Sequence, residues 1–126
     1  MQCTFPYFEN RPHVPIHLEY KGRKVRFLPL LDSGADFSIF YQQHALELDL
    51  NWNEGEKVKL INADGSEFVA RQFMLPISLE DVGFIARICF VKHVFKFIPT
   101  IGRRDIFHQF RITIDEAVQQ VTFSGR

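Results

Sequence analysis

The sequence is short of cysteine, of net charge and of long apolar runs, and each shortage removes a class of protein. Cys3 and Cys89 are its two cysteines. Two cysteines cannot staple a small secreted scaffold, and they read as free thiols. Fifteen basic side chains balance fifteen acidic ones, for a formal net charge of +0. Binding to nucleic acid or to an anionic membrane surface draws on excess positive charge, so neither partner is expected. No apolar stretch approaches the ~20 residues that cross a bilayer. Met1 to Tyr7 holds no charged segment leading into an apolar one, so a soluble, cytoplasmic protein is expected.

Metal chemistry finds no footing either. His13 and His17 share an extended, proline-containing segment that holds them about 13 Å apart, too far to share an ion. His44, His93 and His108 follow no ligand spacing, and Cys89 reads as a buried thiol rather than a nucleophile. There is no glycine-rich phosphate loop. The expectation is therefore no metal and no cofactor.

What is plentiful is apolar and aromatic material. Hydrophobic residues make up 46% of the 126 residues, and 14 of them are phenylalanines. That supplies a core for one compact domain over residues 1–126 without any staple.

The periodicity is that of strands. Residues 1–13 look irregular because Pro6 and Pro12 interrupt any ladder. Ile16 to Tyr20 and Lys24 to Leu28 alternate around Lys21-Gly22-Arg23, which reads as a hairpin with a solvated basic tip. Phe37 to Phe40 can form a short strand, and Tyr41 to Leu48 one or two helical turns. After a polar loop at Asn51 to Glu56, Val58 to Asn62 and Glu67 to Phe73 flank Asp64-Gly65. That dipeptide supplies the positive φ of a tight hairpin turn. Phe73 to Glu80 and Phe84 to Val91 form a second hairpin about Asp81-Val82-Gly83. Val94 to Ile101 is apolar enough to be buried, Arg103 to Gln109 can form a short helix, and Arg111 to Asp115 and Val118 to Ser124 close the chain. About eight to ten short strands with regular turns make an all-β sandwich or barrel.

One turn stands apart. The apolar run Phe27-Leu28-Pro29-Leu30-Leu31 ends in Asp32-Ser33-Gly34, with a second acid at Asp36. A carboxylate delivered into an interior by a buried strand needs a compensating partner or a task. Gly34 permits close backbone approach, and the Ser33 hydroxyl can brace the turn.

Leu30-Leu31-Asp32-Ser33-Gly34-Ala35-Asp36 resembles the active-site loop of retropepsin-like aspartic proteases, the retroviral type. Further on, Thr100-Ile101-Gly102-Arg103-Arg104-Asp105-Ile106-Phe107 resembles their second signature. That signature is two apolar residues and a glycine, then a short helix opening with Arg and Asp or Asn. Leu60 to Gln72 falls where the family has its flap hairpin, and Phe110 to Glu116 looks like the end of small single-domain members.

The resemblance implies an all-β, retropepsin-like closed β-barrel, the acid protease fold, with one short C-terminal helix and one lobe per chain. It implies an aspartic endopeptidase in which Asp32, with Ser33 and Gly34, forms half of a catalytic dyad. The other half comes from a second copy, because one chain supplies one such aspartate, and the partners are then the chain itself and a peptide or protein substrate. In such a dyad two neighbouring carboxylates share a proton and titrate as a unit. Asp36, Ile61, Ala63, Asp64, Gly65 and Ile101 would meet substrate, with Leu30 beside them. Gly102, Arg103 and Arg104 would support the loop, one of the arginines pairing with Asp36. The doubled arginine leaves both as candidates, and the flap tip departs from the family's glycine-rich run. The alternative is a non-catalytic peptide-binding or dimerisation module on the same fold.

Overall fold

A computed structural model of the chain describes residues 1–92 and 98–126. The expected burial of Val94 to Phe97 and the reading of His93 lie outside the described residues. The alternating segments become strands. In chain order they are β1 (Gln2–Pro6), β2 (Ile16–Tyr20), β3 (Arg23–Phe27), β4 (Leu30–Leu31) and β5 (Ser38–Tyr41), followed by helix α1 (Gln42–Glu47). A 3₁₀ turn at Trp52–Glu54 leads to β6 (Glu56–Ile61), β7 (Glu67–Leu79), β8 (Val82–Val91) and β9 (Thr100–Ile101). A second 3₁₀ turn, Phe107–Gln109, precedes β10 (Phe110–Asp115) and β11 (Gln120–Gly125).

Eight strands form one curled half-barrel sheet in the order β3-β2-β7-β8-β5-β9-β4, with β6 pairing to β7 off this path. The ladders begin at β3 and end at β4, so the described strands make a half-barrel where a closed barrel was expected. β7 is the spine. Its 13 residues pair with β6 at one end and with β8 along most of its length. It runs unbroken through Phe73, where the sequence suggested two separate strands.

Two cores result. Leu75, Ile77 and Leu79 of β7 and Ala86, Ile88 and Phe90 of β8 join Leu18, Phe27, Phe40 and Phe110 in the main one. On the opposite face of the same strands, Tyr41, Leu60, Ala70, Cys89 and Val91 form a smaller cluster under the β6–β7 hairpin. This is why Cys89, Phe90 and Val91 are all buried although they alternate faces. Burial pushes the Cys89 thiol up to about 11, which suits a packed thiol and not a nucleophile.

Three expectations need correction. Residues 2–6 are not irregular: they form β1, antiparallel to β11, with Phe5 buried. Pro6 is tolerated because it ends an edge strand, where no ladder bond is asked of it. The helix expected over Arg103 to Gln109 is a turn followed by the short 3₁₀ segment. Asp105 adopts φ +65°, which an α-helix cannot carry. The β7–β8 turn is Glu80-Asp81, with Glu80 at φ +53°, one residue earlier than the Asp-x-Gly pattern suggested.

The helix that does form, α1, is fastened by His44. Its Nδ1 accepts the Tyr41 backbone N–H at 2.9 Å, and its ring packs edge-on against Phe27 and Phe40. Burial holds the His44 imidazole below its ordinary value of 6.5. The unfolded chain then binds the extra proton first, so the stability from neutral His44 is complete above pH 6.5 and is lost as pH falls from there to the folded value. Urea unfolding across this range is expected to show that loss. His44→Gln, which keeps an acceptor for Tyr41 N–H, flattens it; an unchanged slope in the variant contradicts the assignment.

Candidate active site

Asp32 lies at the exit of β4. Leu31 is buried in the main core, and its N–H reaches Pro12 O at 2.9 Å. β4 runs parallel to β9, pairing Leu30 with Thr100 and Leu31 with Ile101, and the Asp32 N–H donates to Ile101 O at 2.9 Å. The apolar run is therefore committed to the core, and the carboxylate is carried to the point where the core ends. Its Oδ1 accepts the Gly34 N–H at 2.9 Å, and its carbonyl accepts the Ala35 N–H at 3.2 Å. The tight turn is made by Asp32 itself. Ser33 is exposed and makes no hydrogen bond to another described residue.

A second segment clamps this turn. Arg103 N–H donates to Ala35 O and Arg104 N–H to Asp36 O, both at 2.9 Å. Gly102 N–H donates to Ser38 Oγ at 3.0 Å, and Ser38 is only 1% exposed. A Cβ at Gly102 would collide with the Phe37 carbonyl and come within 2.9 Å of Ala35 O, so no other residue fits between the two segments.

The two arginines divide their work. Arg103 forms the ion pair with Asp36, at the surface. Arg104 stacks its guanidinium 4.6 Å from the Phe37 ring centroid. Asp105 has a partner the sequence did not reveal. Its carboxylate accepts from Arg87 Nε at 2.7 Å, Nη2 at 2.9 Å and backbone N–H at 3.0 Å. These hydrogen bonds hold Asp105 below the usual carboxylate range. The bidentate pair fixes the positive-φ turn to the middle of β8.

Above Asp32 lies a cavity of about 940 Å³. Asp32, Gly34 and Asp36 form its floor, and Ile61, Ala63, Phe68 and Val69 of the β6–β7 hairpin form one side. Ile39, Tyr41, Trp52, Val91, Lys92, Ile98 and Thr100 form the far wall. Of the residues expected to meet substrate, Asp36, Ile61 and Ala63 line this cavity; Ile61 is 72% exposed. Ile101 does not line it. It is 1% exposed inside the main core, because strand alternation turns it away from Thr100, which does face the cavity. Leu30, Asp64 and Gly65 also lie off its walls. The Asp64 carboxylate turns back on the hairpin tip, accepting from Ser66 N–H at 2.9 Å and Ser66 Oγ at 2.6 Å, bonds that lower its pKa.

Trp52 is the wall residue the sequence reading missed, sitting in a segment read as polar loop. Its Nε1–H donates to Phe90 O at 2.8 Å, while Arg71 and Lys92 approach its ring at 5.1 and 5.3 Å. A lone tryptophan in a polar segment was the available signal. Tyr41, 2% exposed, completes that wall, and burial pushes its phenol up to about 12. Among the described residues no group of three or more His, Cys, Asp or Glu side chains could hold a metal ion.

An all-β half-barrel with an aspartate loop clamped under a hairpin has a retropepsin-like fold. A crystal structure of a retropepsin-like aspartic protease from Rickettsia conorii matches with a TM-score of 0.69, over 97% of this chain and 98% of that one, at 16% identity. The likeness at that identity is one of fold. Neither protein-family models nor curated protein sequences match the chain. No helix among the described residues is long and apolar enough to cross a membrane.

The two arginine–aspartate pairs differ in what they contribute to stability. The Arg103–Asp36 side chains are 52% and 57% exposed, and the Arg87–Asp105 side chains 35% and 22%. Arg103→Gln is expected to cost at most about 1 kcal/mol of unfolding free energy. Arg87→Gln, which strips the less exposed Asp105 carboxylate down to its backbone donor, is expected to cost more. Urea titration of both variants checks the order, and equal losses contradict it.

Proposed function

We propose that the chain is one lobe of a homodimeric aspartic endopeptidase. The observation that carries the reading is Asp32 on the floor of the 940 Å³ cavity, on a turn gripped by the Gly102 segment and facing the β6–β7 hairpin. One chain offers one such carboxylate. Two copies related by a two-fold axis would bring Asp32 against its mate, and carboxylates at that spacing share one proton. The ionised member takes a proton from water as the water oxygen attacks the scissile carbonyl carbon. The protonated member gives its proton to the carbonyl oxygen. The tetrahedral gem-diol then collapses: one hydroxyl returns its proton to the now ionised carboxylate, the C–N bond breaks, and the now protonated carboxyl gives its proton to the leaving nitrogen. Asp36 and the pinned backbone of the turn hold the reacting groups in place.

The cavity favours an extended peptide. Ile39, Ile61, Phe68, Val91 and Ile98 offer apolar contact for side chains near the cut, and the β6–β7 hairpin offers main-chain partners in the manner of an added strand.

Asp32→Asn keeps the oxygen that accepts Gly34 N–H, so the turn and the fold are expected to survive. Peptide-library cleavage should fall by at least about 10²–10⁴-fold, the share that acid–base catalysis supplies. Full activity in this variant overturns the reading. A wild-type dimer that binds peptides without cutting them at any pH favours the non-catalytic module.

A further inference from the structure

One face of the β6-β7-β8 part of the sheet gathers positive charge, although the chain as a whole has a formal net charge of +0. We infer that this face takes an acidic stretch of the peptide whose neighbouring part lies in the Asp32 cavity, recognised by two carboxylates set two residues apart. This rests on the protease reading above and names a substrate class for it.

Strand register puts the charges together. Lys57 pairs with Arg71, and Lys59 with Val69, across β6 and β7. Side chains of paired residues emerge on one face, and so do those two apart along a strand. Lys57, Lys59, Val69 and Arg71 therefore share a face, while Leu60, Ala70 and Val91 of the small cluster occupy the other. Val91 pairs with Ala70, which brings the next residue, Lys92, beside Val69. The Arg71 guanidinium and the Lys92 ammonium both lie over the Trp52 ring, at 5.1 and 5.3 Å, which sets them on the same side of the sheet.

Opposing charge is scarce there. Among the described residues, Glu67 is the one carboxylate within ion-pair reach of these cations. It stands 3.9 Å from Lys59, with side chains 60% and 71% exposed, where such a pair contributes little. Arg71 uses Nη1 on the Gly55 carbonyl at 3.0 Å, and its enclosed Nε donates to no described residue. Lys57 directly opposite Arg71 is a like-charge pair across strands, an arrangement that costs stability. Local features that oppose folding concentrate where a chain meets a ligand, and an anion relieves this one.

Spacing and position identify the anion. Lys57 and Lys59 are exposed and two residues apart on β6, about 6.8 Å along the strand. Side chains two apart in an extended peptide have the same separation. An acid-x-acid peptide therefore sets one carboxylate between Lys59 and Lys92, over the 38% exposed Val69, and the other at Lys57 and Arg71. Lys59, Val69, Lys92 and Trp52 also border the Asp32 cavity, so an extended peptide leaving the cavity passes onto this face. A nucleic acid is less suited. The adjoining cavity floor carries Asp32 and Asp36, and the neutral chain offers no wider positive field.

Trp52 is the only tryptophan, so its fluorescence reports on this face. The probes are C-terminally amidated peptides with a central apolar pair and Glu-x-Glu at each register on either side, with Gln-x-Gln peptides as controls. In the Asp32→Asn protein, which holds them uncut, the best Glu-x-Glu register is expected to bind about tenfold tighter than its control at low salt, an advantage that shrinks as salt rises. The wild-type chain should show the same preference in kcat/KM. Lys57→Glu is expected to cancel the preference while leaving cleavage of the Gln-x-Gln control unchanged. Lys57→Gln should unfold at the same or a higher urea concentration, whereas a purely structural lysine would lower it. Cleavage without acidic preference, or a preference that Lys57→Glu leaves intact, overturns the face assignment and leaves the protease reading standing. Acid-dependent binding to a wild-type chain that cuts nothing upholds the face and overturns the protease reading. A single-stranded oligonucleotide of equal charge that binds more tightly than the best peptide overturns the choice of an acidic peptide. Neither binding nor cleavage overturns both readings.

Discussion

The grip of the Gly102 segment on the Asp32 turn is the constraint on which the rest depends. Two backbone N–H groups, from Arg103 and Arg104, end on the carbonyls of Ala35 and Asp36. A third, from Gly102, ends on a hydroxyl that is almost fully enclosed. These bonds sit where the main core meets the cavity. Leaving the buried Gly102–Ser38 bond unmade strands a desolvated donor and acceptor, at about 1–3 kcal/mol. The turn is therefore held in one conformation by groups that cannot easily go elsewhere. The charged pairs act around this clamp. Arg103–Asp36 lies in solvent and fixes orientation more than energy, whereas Arg87–Asp105 ties the outer end of the segment to β8.

The clamp also explains the layering of the molecule. β8 must support both faces, so its last four residues, Ile88 to Val91, are all buried: the main core lies on one side and the small cluster under the β6–β7 hairpin on the other. The hairpin is carried by the far end of β7, whose other end anchors the main sheet through β2 and β8. A carboxylate at the end of β4 and a hairpin at the end of β7 thereby face one another across a cavity built on a shared, rigid spine. A site borne on such elements holds its geometry better than one borne on loops alone.

Much of this was legible in the residues. Alternation located the hairpins of β2–β3, β6–β7 and β7–β8. Asp64-Gly65 marked a turn whose Gly65 does adopt φ +87°. The paired motifs around Asp32 and Gly102 anticipated that the two segments would meet. What escaped was what no local pattern encodes. β1 is a strand only because β11 accepts it from far along the chain. The expected helix after Gly102 fails because Arg87, remote in sequence, captures the Asp105 carboxylate in a positive-φ turn. Ile101, expected to meet substrate, lies in the core because a two-residue strand points its side chain inward and that of Thr100 into the cavity. Trp52 looked like loop because its partners, Phe90, Arg71 and Lys92, arrive from β7, β8 and the residue just after it.

The account stands on two copies of Asp32 acting as one centre. Mixing wild-type chains with increasing Asp32→Asn chains, at a total concentration where dimers prevail, tests this directly. If both carboxylates are needed, mixed dimers are inactive and cleavage falls as the square of the wild-type fraction. Cleavage that falls only in proportion to that fraction would mean each chain works alone, and would contradict the shared active site.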